Sequence, residues 1–231
     1  MNSTKKYPEL TAAQIAFGML KCRENASKLL NDATLLAEEG CYARAYTLAH
    51  TSCEELAKFF VLQLAGKRVI QANPPDWKRF WRRFRSHDSK LAQFSIQLIK
   101  LQLDSGVVDQ DLIAASEGLF TFGLHPRNAS LYVDVGPDGE FCGPGDIDYR
   151  IPFPILSVVA TRALHVAMEL GESANDIVAT LQKLPAASDK ATALKVMSTA
   201  ISRLRDGGVS KEAALAELNK FWKAPKNADD G

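Results

Sequence analysis

No Walker loop, no GxGxxG after a strand, no HExxH and no GxSxG occurs in this chain. P-loop hydrolysis, dinucleotide binding, zinc proteolysis and α/β-hydrolase chemistry are therefore excluded as readings. Repeated ExxH pairs are missing too, which removes a carboxylate di-metal bundle. The four cysteines, Cys22, Cys41, Cys53 and Cys142, show no CxxC or other metal-ligand spacing, so no cysteine metal site is expected. No apolar run approaches the roughly 20 residues of a membrane span, and Met1-Asn2-Ser3-Thr4-Lys5-Lys6 lacks the regions of a signal peptide. An excess of one charge is lacking as well. The net charge of +1 exerts no global pull on nucleic acid or membrane, so any such binding must come from a local patch. These absences predict a reduced, cytoplasmic protein with no membrane role.

What is present is helical period. With 231 residues, 46% of them hydrophobic, the chain can build one substantial core. From Thr11, an N-cap, apolar residues recur at helical spacing through Ile15, Met19, Ala26, Leu29, Leu30, Ala33 and Leu36 until Gly40 stops the run. A second helix is predicted from Cys41 to Leu64 with its end at Gly66, a third from Asp76 through Leu101, and a fourth, shorter one from Gln110 to Phe122. Between Gly123 and Pro154 the composition turns to Gly, Pro, Asp and aromatics. Leu131 to Val135 and Glu140 to Cys142, around Gly136-Pro137-Asp138-Gly139, read as a small hairpin or an irregular loop. Helical period resumes from Pro154 to Leu170 and continues loosely to Leu184, followed by a tail with two short amphipathic segments. The pattern predicts an all-α, up-and-down helical bundle, with a long loop or small β-hairpin near 123–154 and a C-terminal helical tail.

Polar groups interrupt the apolar faces at informative places. Leu48, Ser52, Glu55, Phe59 and Leu62 align on one line of the second helix, so burying that line takes the Glu55 carboxylate with it. A buried carboxylate needs a cation or donor opposite, and Arg127 or a lysine are the candidates. On the predicted third helix, His87 falls within about 60° of the line through Phe84 and Leu91, and Lys90 lies at the edge of that face. Each of these groups alone reads as a satisfied core residue; together they also fit a functional cluster. Lys78-Arg79-Phe80-Trp81-Arg82-Arg83-Phe84-Arg85 is the dense basic run. Its aromatics follow the core period, which leaves the cations on a solvated face or facing RNA.

Glu54-Glu55-Leu56-Ala57-Lys58, His87-Asp88-Ser89-Lys90 and the loop Arg127…Leu131-Tyr132-Val133-Asp134 together resemble the AbiV family of bacterial abortive-infection proteins, over residues 10 to 180. That family looks like a branch of the HEPN superfamily (higher eukaryotes and prokaryotes nucleotide-binding). HEPN proteins are helical bundles that often dimerise, and their active members are metal-independent endoribonucleases of phage defence and toxin systems. The resemblance implies a HEPN-like helical domain over 8–184 and a C-terminal helical extension over 185–231 with a disordered end. It implies a homodimer, no cofactor or metal, and RNA, the translation machinery or a phage protein as partner. The HEPN signature is an arginine, a polar residue, three others and a histidine. Arg127, Asn128 and Tyr132 occupy it with tyrosine in the histidine position, and a phenol is a poor general base at neutral pH. In the enzyme reading Arg127 binds phosphate, His87 exchanges protons, Tyr132 fills the signature, and Glu55 orients one of these groups. Lys58, Lys90, Asn128 and Arg82 then bind RNA or its phosphates. The competing readings are a non-catalytic module that binds a phage protein, RNA or nucleotide, and an antitoxin-like partner.

Overall fold

The computed structural model describes residues 7–86, 94, 128–135 and 139–184. Thr11 opens the first helix with a reciprocal cap: its side chain accepts the Gln14 N–H at 3.3 Å, and Gln14 Oε1 accepts the Thr11 N–H at 2.9 Å. Helix α1 (Ala12–Glu38) ends before Gly40, whose φ of +75° is a left-handed geometry that glycine adopts without penalty. After this tight turn α2 (Tyr42–Ile70) packs back along α1. Ala16, Ala26, Ala33, Ala45, Ala49 and Ala57 are fully buried along the pair. The helices approach closely enough for Ser52 Oγ to donate to the Ala26 carbonyl at 2.8 Å.

Helix α3 (Trp77–Arg85) is capped by Asp76, whose carboxylate accepts the Arg79 N–H at 3.1 Å. Strands β1 (Asp134–Val135) and β2 (Phe141–Cys142) pair antiparallel in the register Asp134 with Cys142 and Val135 with Phe141. Helix α4 (Pro152–Glu169) packs against α2 and α1, and α5 (Ala174–Lys183), capped by Ser173 and Asp176, packs against both as well. α4 and α5 meet at a bend of 86°. At the bend Arg23 donates to the carbonyls of Ala167 at 3.2 Å and Gly171 at 2.6 Å, which answers the orphan acceptors at the end of α4 and ties them to α1. Leu56, Phe59, Phe60, Ile15, Met19 and Val159 fill the core between these helices, each contributing about 1.5 to 3 kcal/mol by burial.

The all-α class with a small hairpin is what the sequence predicts. Five helices and one two-stranded ribbon are described from end to end, and among the described residues no single helix is long and apolar enough to cross a membrane. Two boundaries differ from the sequence reading. α2 does not end at Gly66 but continues to Ile70, because this glycine serves close packing. A Cβ there would lie 2.9 Å from Leu181 Cδ1 and 3.2 Å from Ile15 Cγ2. The third helix stops at Arg85, with Ser86 extended (φ −76°, ψ 127°), instead of running on to Leu101. Ser86-His87-Asp88-Ser89 is rich in side chains that compete with helical hydrogen bonds and favour caps. The Phe84 face is thus described only as far as Arg85, and His87 and Lys90 lie outside the described residues. Phe94 is helical and buried, its ring 6.3 Å from Phe60. The predicted helix 110–122 and the tail from 188 lie outside the described residues.

Candidate functional site

α2 is buried against several neighbours, and it therefore carries polar side chains into the interior. Thr47, His50 and Glu54 recur at spacings of three and four on one side of it. Thr47 Oγ1 and Ser130 Oγ form a buried hydrogen bond of 2.5 Å across 83 residues of sequence. Ser130 also hydrogen-bonds the Tyr149 hydroxyl. The Tyr149 ring lies 5.1 Å from Tyr46, which in turn lies 6.3 Å from the His50 ring. His50 Nδ1 is 3.6 Å from Glu54 Oε1, with both side chains at or below 5% exposure. Burial pushes the Tyr149 phenol up, against the pull of the Ser130 hydrogen bond. The Tyr46 phenol is pushed up to about 12 by burial, then by Tyr149 and Cys53. Burial, followed by the nearby Glu54 carboxylate, also holds the Cys53 thiol protonated, so this cysteine is a poor nucleophile.

Tyr46 makes the fold sensitive to alkali. Its folded-state pKa lies above the unfolded value of 10, so the stability it contributes is complete below pH 10 and is lost as pH rises through about 12. Thermal melts should fall more steeply above about pH 10 in the wild type than in Tyr46→Phe. Parallel curves for the two proteins would contradict the assignment.

The buried Ser130 anchors the helical residues Asn128 and Ala129 and the turn that follows them. The Asn128 carbonyl accepts the N–H groups of Leu131 and Tyr132, each at 3.0 Å. Ser130 faces inward, while Asn128 and Tyr132 face solvent, Tyr132 at 64% exposure. Beside the turn opens a cleft of about 610 Å³ lined by Tyr42, Arg44, Leu131, Asp146, Asp148 and Arg150 among others. Arg150 forks onto Asp148 at 2.8 and 2.7 Å and, by hydrogen bonds from its side chain and backbone, holds that carboxyl down at about 2. Among the described residues no three His, Cys, Asp or Glu side chains are placed to hold a metal ion.

Glu55 finds its cation on its own helix: Lys58 Nζ is 2.5 Å from Glu55 Oε1, at 24% and 14% side-chain exposure. The more deeply buried carboxylate is its neighbour Glu54, at 4%. Lys58 also lies 6.0 Å from the Phe84 ring, so the Glu55 pair adjoins the end of α3. It is separate from the turn, since Thr47 and Lys58 stand eleven residues apart, about 16 Å along the helix axis. Arg82 is exposed on α3. His87, Lys90 and Arg127 lie outside the described residues. The inward residues Thr47, Ser130 and Tyr149 escape a sequence reading that follows apolar stripes. The polar spacing Thr47, His50, Glu54 is the signal that was available for α2.

Among known proteins, the AbiV family model matches residues 14–152, more than half of the chain. The match takes in the α1 and α2 pair, α3, the anchored turn and the hairpin, and reaches the first residue of α4. No curated protein and no solved structure matches. The chain belongs to the AbiV family of HEPN proteins, whose role is abortive infection in defence against phage.

Proposed function

We propose that this AbiV protein acts on RNA during infection, as a metal-independent endoribonuclease centred on the 128–132 turn and Arg127 before it in sequence. The observation that carries the reading is the mount of that turn. Ser130 is fixed from behind by Thr47 and Tyr149, while Asn128 and Tyr132 stand in solvent. Rigid support beneath exposed polar side chains is what a loop-borne site requires. In cleavage without a metal, the RNA 2′-hydroxyl oxygen attacks the adjacent phosphorus and the bond from phosphorus to the 5′ oxygen breaks. One proton leaves the 2′-hydroxyl and one reaches the departing 5′ oxygen. Arg127 grips the phosphate with its guanidinium fork, His87 exchanges the proton, and the Tyr132 hydroxyl donates to the departing oxygen. Homodimerisation and an RNA target within the translation machinery belong to the same proposal.

Incubation of the purified protein with total RNA, with and without a chelator, tests it. Chelator-insensitive cleavage is expected, abolished in Arg127→Ala and slowed about 100-fold in Tyr132→Phe. A second reading, a non-catalytic module that binds a phage protein, RNA or nucleotide, is favoured by one observation. Among the described residues no side chain hydrogen-bonds the Tyr132 hydroxyl to activate it. Absence of cleavage by a well-folded protein, with protection intact in both variants, decides for that module.

A further inference from the structure

Helix α3 divides its nine residues sharply. Trp77, Phe80, Trp81 and Phe84 fall within about 100° of its circumference, and Lys78, Arg79, Arg82, Arg83 and Arg85 fill about 160° on the opposite side. The aromatic side is spent on packing. Its ring centroids lie 5.1 to 5.7 Å apart, Phe80 is buried, and the Trp81 indole N–H donates to the Pro8 carbonyl at 2.8 Å. All five cations are exposed. Among the described residues none of them has a carboxylate within ion-pair distance.

This concentration of charge works against the helix that carries it. Lys78 and Arg79 stand in the first turn, at the positive end of the helix dipole. Lys78 with Arg82 and Arg79 with Arg83 are like-charge pairs at a spacing of four, each destabilising by a few tenths of a kcal/mol. Arg83 reports the crowding: partial burial, then Arg79 and Arg82, lowers its pKa. The whole chain carries +1 and these nine residues carry +5, so the remainder is net −4. The positive field is local to this face.

We infer that the Lys78, Arg79, Arg82, Arg83 and Arg85 face of α3 is a docking surface for the phosphodiester backbone of RNA, separate from the 128–132 turn. The inference rests on the RNA reading above and adds where the substrate is held. Four of the five cations are arginines, whose planar forks match phosphate oxygens. The face is about 12 Å long, enough to meet about three successive phosphates. A membrane surface fits less well, because no large apolar side chain of α3 is exposed for insertion. With its aromatics packed inward, the face has no rings left to stack bases, so binding is indifferent to sequence.

Fluorescence anisotropy of labelled poly(U) and poly(A) oligonucleotides of equal length, titrated with the full chain between about 50 and 200 mM salt, tests this. The wild type should bind both alike. The triple variant Arg79→Gln, Arg82→Gln, Arg83→Gln should bind about 100-fold more weakly, with a slope of log affinity against log salt shallower by about 2. Lysine at the same three positions should keep most of that slope, which separates loss of charge from loss of fold. Equal affinity and slope in wild type and glutamine variant would overturn the α3 assignment while leaving RNA as the target. A wild type that binds no RNA would overturn both, as would glutamine-sensitive binding to phosphatidylserine vesicles without RNA binding.

Discussion

Alanine in place of Glu54 is expected to cost about 3 kcal/mol or more, and alanine in place of Glu55 about 1 kcal/mol or less. The two residues are adjacent in sequence but differ in surroundings. Glu54 is 4% exposed beside His50, itself 1% exposed. Removing its carboxylate deprives a buried imidazole of that neighbour and leaves a void that the packed interior closes only in part. Glu55 sits at the edge of the same helix, paired with a Lys58 that reaches solvent. Water replaces the lost contact there, and much of the ion-pair energy is already screened. Urea melts of the two single variants read the difference directly. Equal losses, or the larger loss at Glu55, would contradict the burial described for α2.

The contrast also shows what could be read in the residues alone. Thr11, Gly40 and Asp76 announce their caps and turn because the relevant physics is confined to a few neighbouring residues. The hairpin of Asp134–Val135 with Phe141–Cys142 was legible for the same reason, through the Gly-Pro-Asp-Gly between its strands. Gly66 misleads because its meaning depends on Ile15 and Leu181, 51 and 115 residues away. Glu55 draws attention because a single apolar stripe is the natural template for a surface helix, whereas α2 meets α1, α4 and α5. On such a helix a polar stripe is as informative as an apolar one. The anchored turn was half visible. Arg127, Asn128 and Tyr132 could be singled out through the resemblance to the HEPN signature, but the Ser130 contact that positions Asn128 and Tyr132 spans 83 residues and has no local signature.

Leucine at Ser130 is expected to abolish phage protection while lowering stability by only about 2 kcal/mol, or about 5 °C in melting temperature. Ser130 is fully buried at 2.5 Å from Thr47, and no isobutyl group fits there without pushing the turn away from α2. The helices that build the core stay in place, so what is lost is the position of Asn128 and Tyr132. Alanine is the graded control. It removes the hydrogen bonds without adding bulk, at a cost of about 1 kcal/mol, and should retain part of the protection. Phage plating alongside thermal melts separates the effects, and full protection by a folded Ser130→Leu protein would show that the turn plays no part in defence.

Sequencing of RNA 5′ ends from infected cells tests most directly whether this defence protein works by cutting RNA. Cells carrying the wild type should acquire new 5′-hydroxyl ends after infection, and cells carrying Arg127→Ala should lack both these ends and protection. Identical sets of ends in the two strains, with protection undiminished in the variant, would contradict the account.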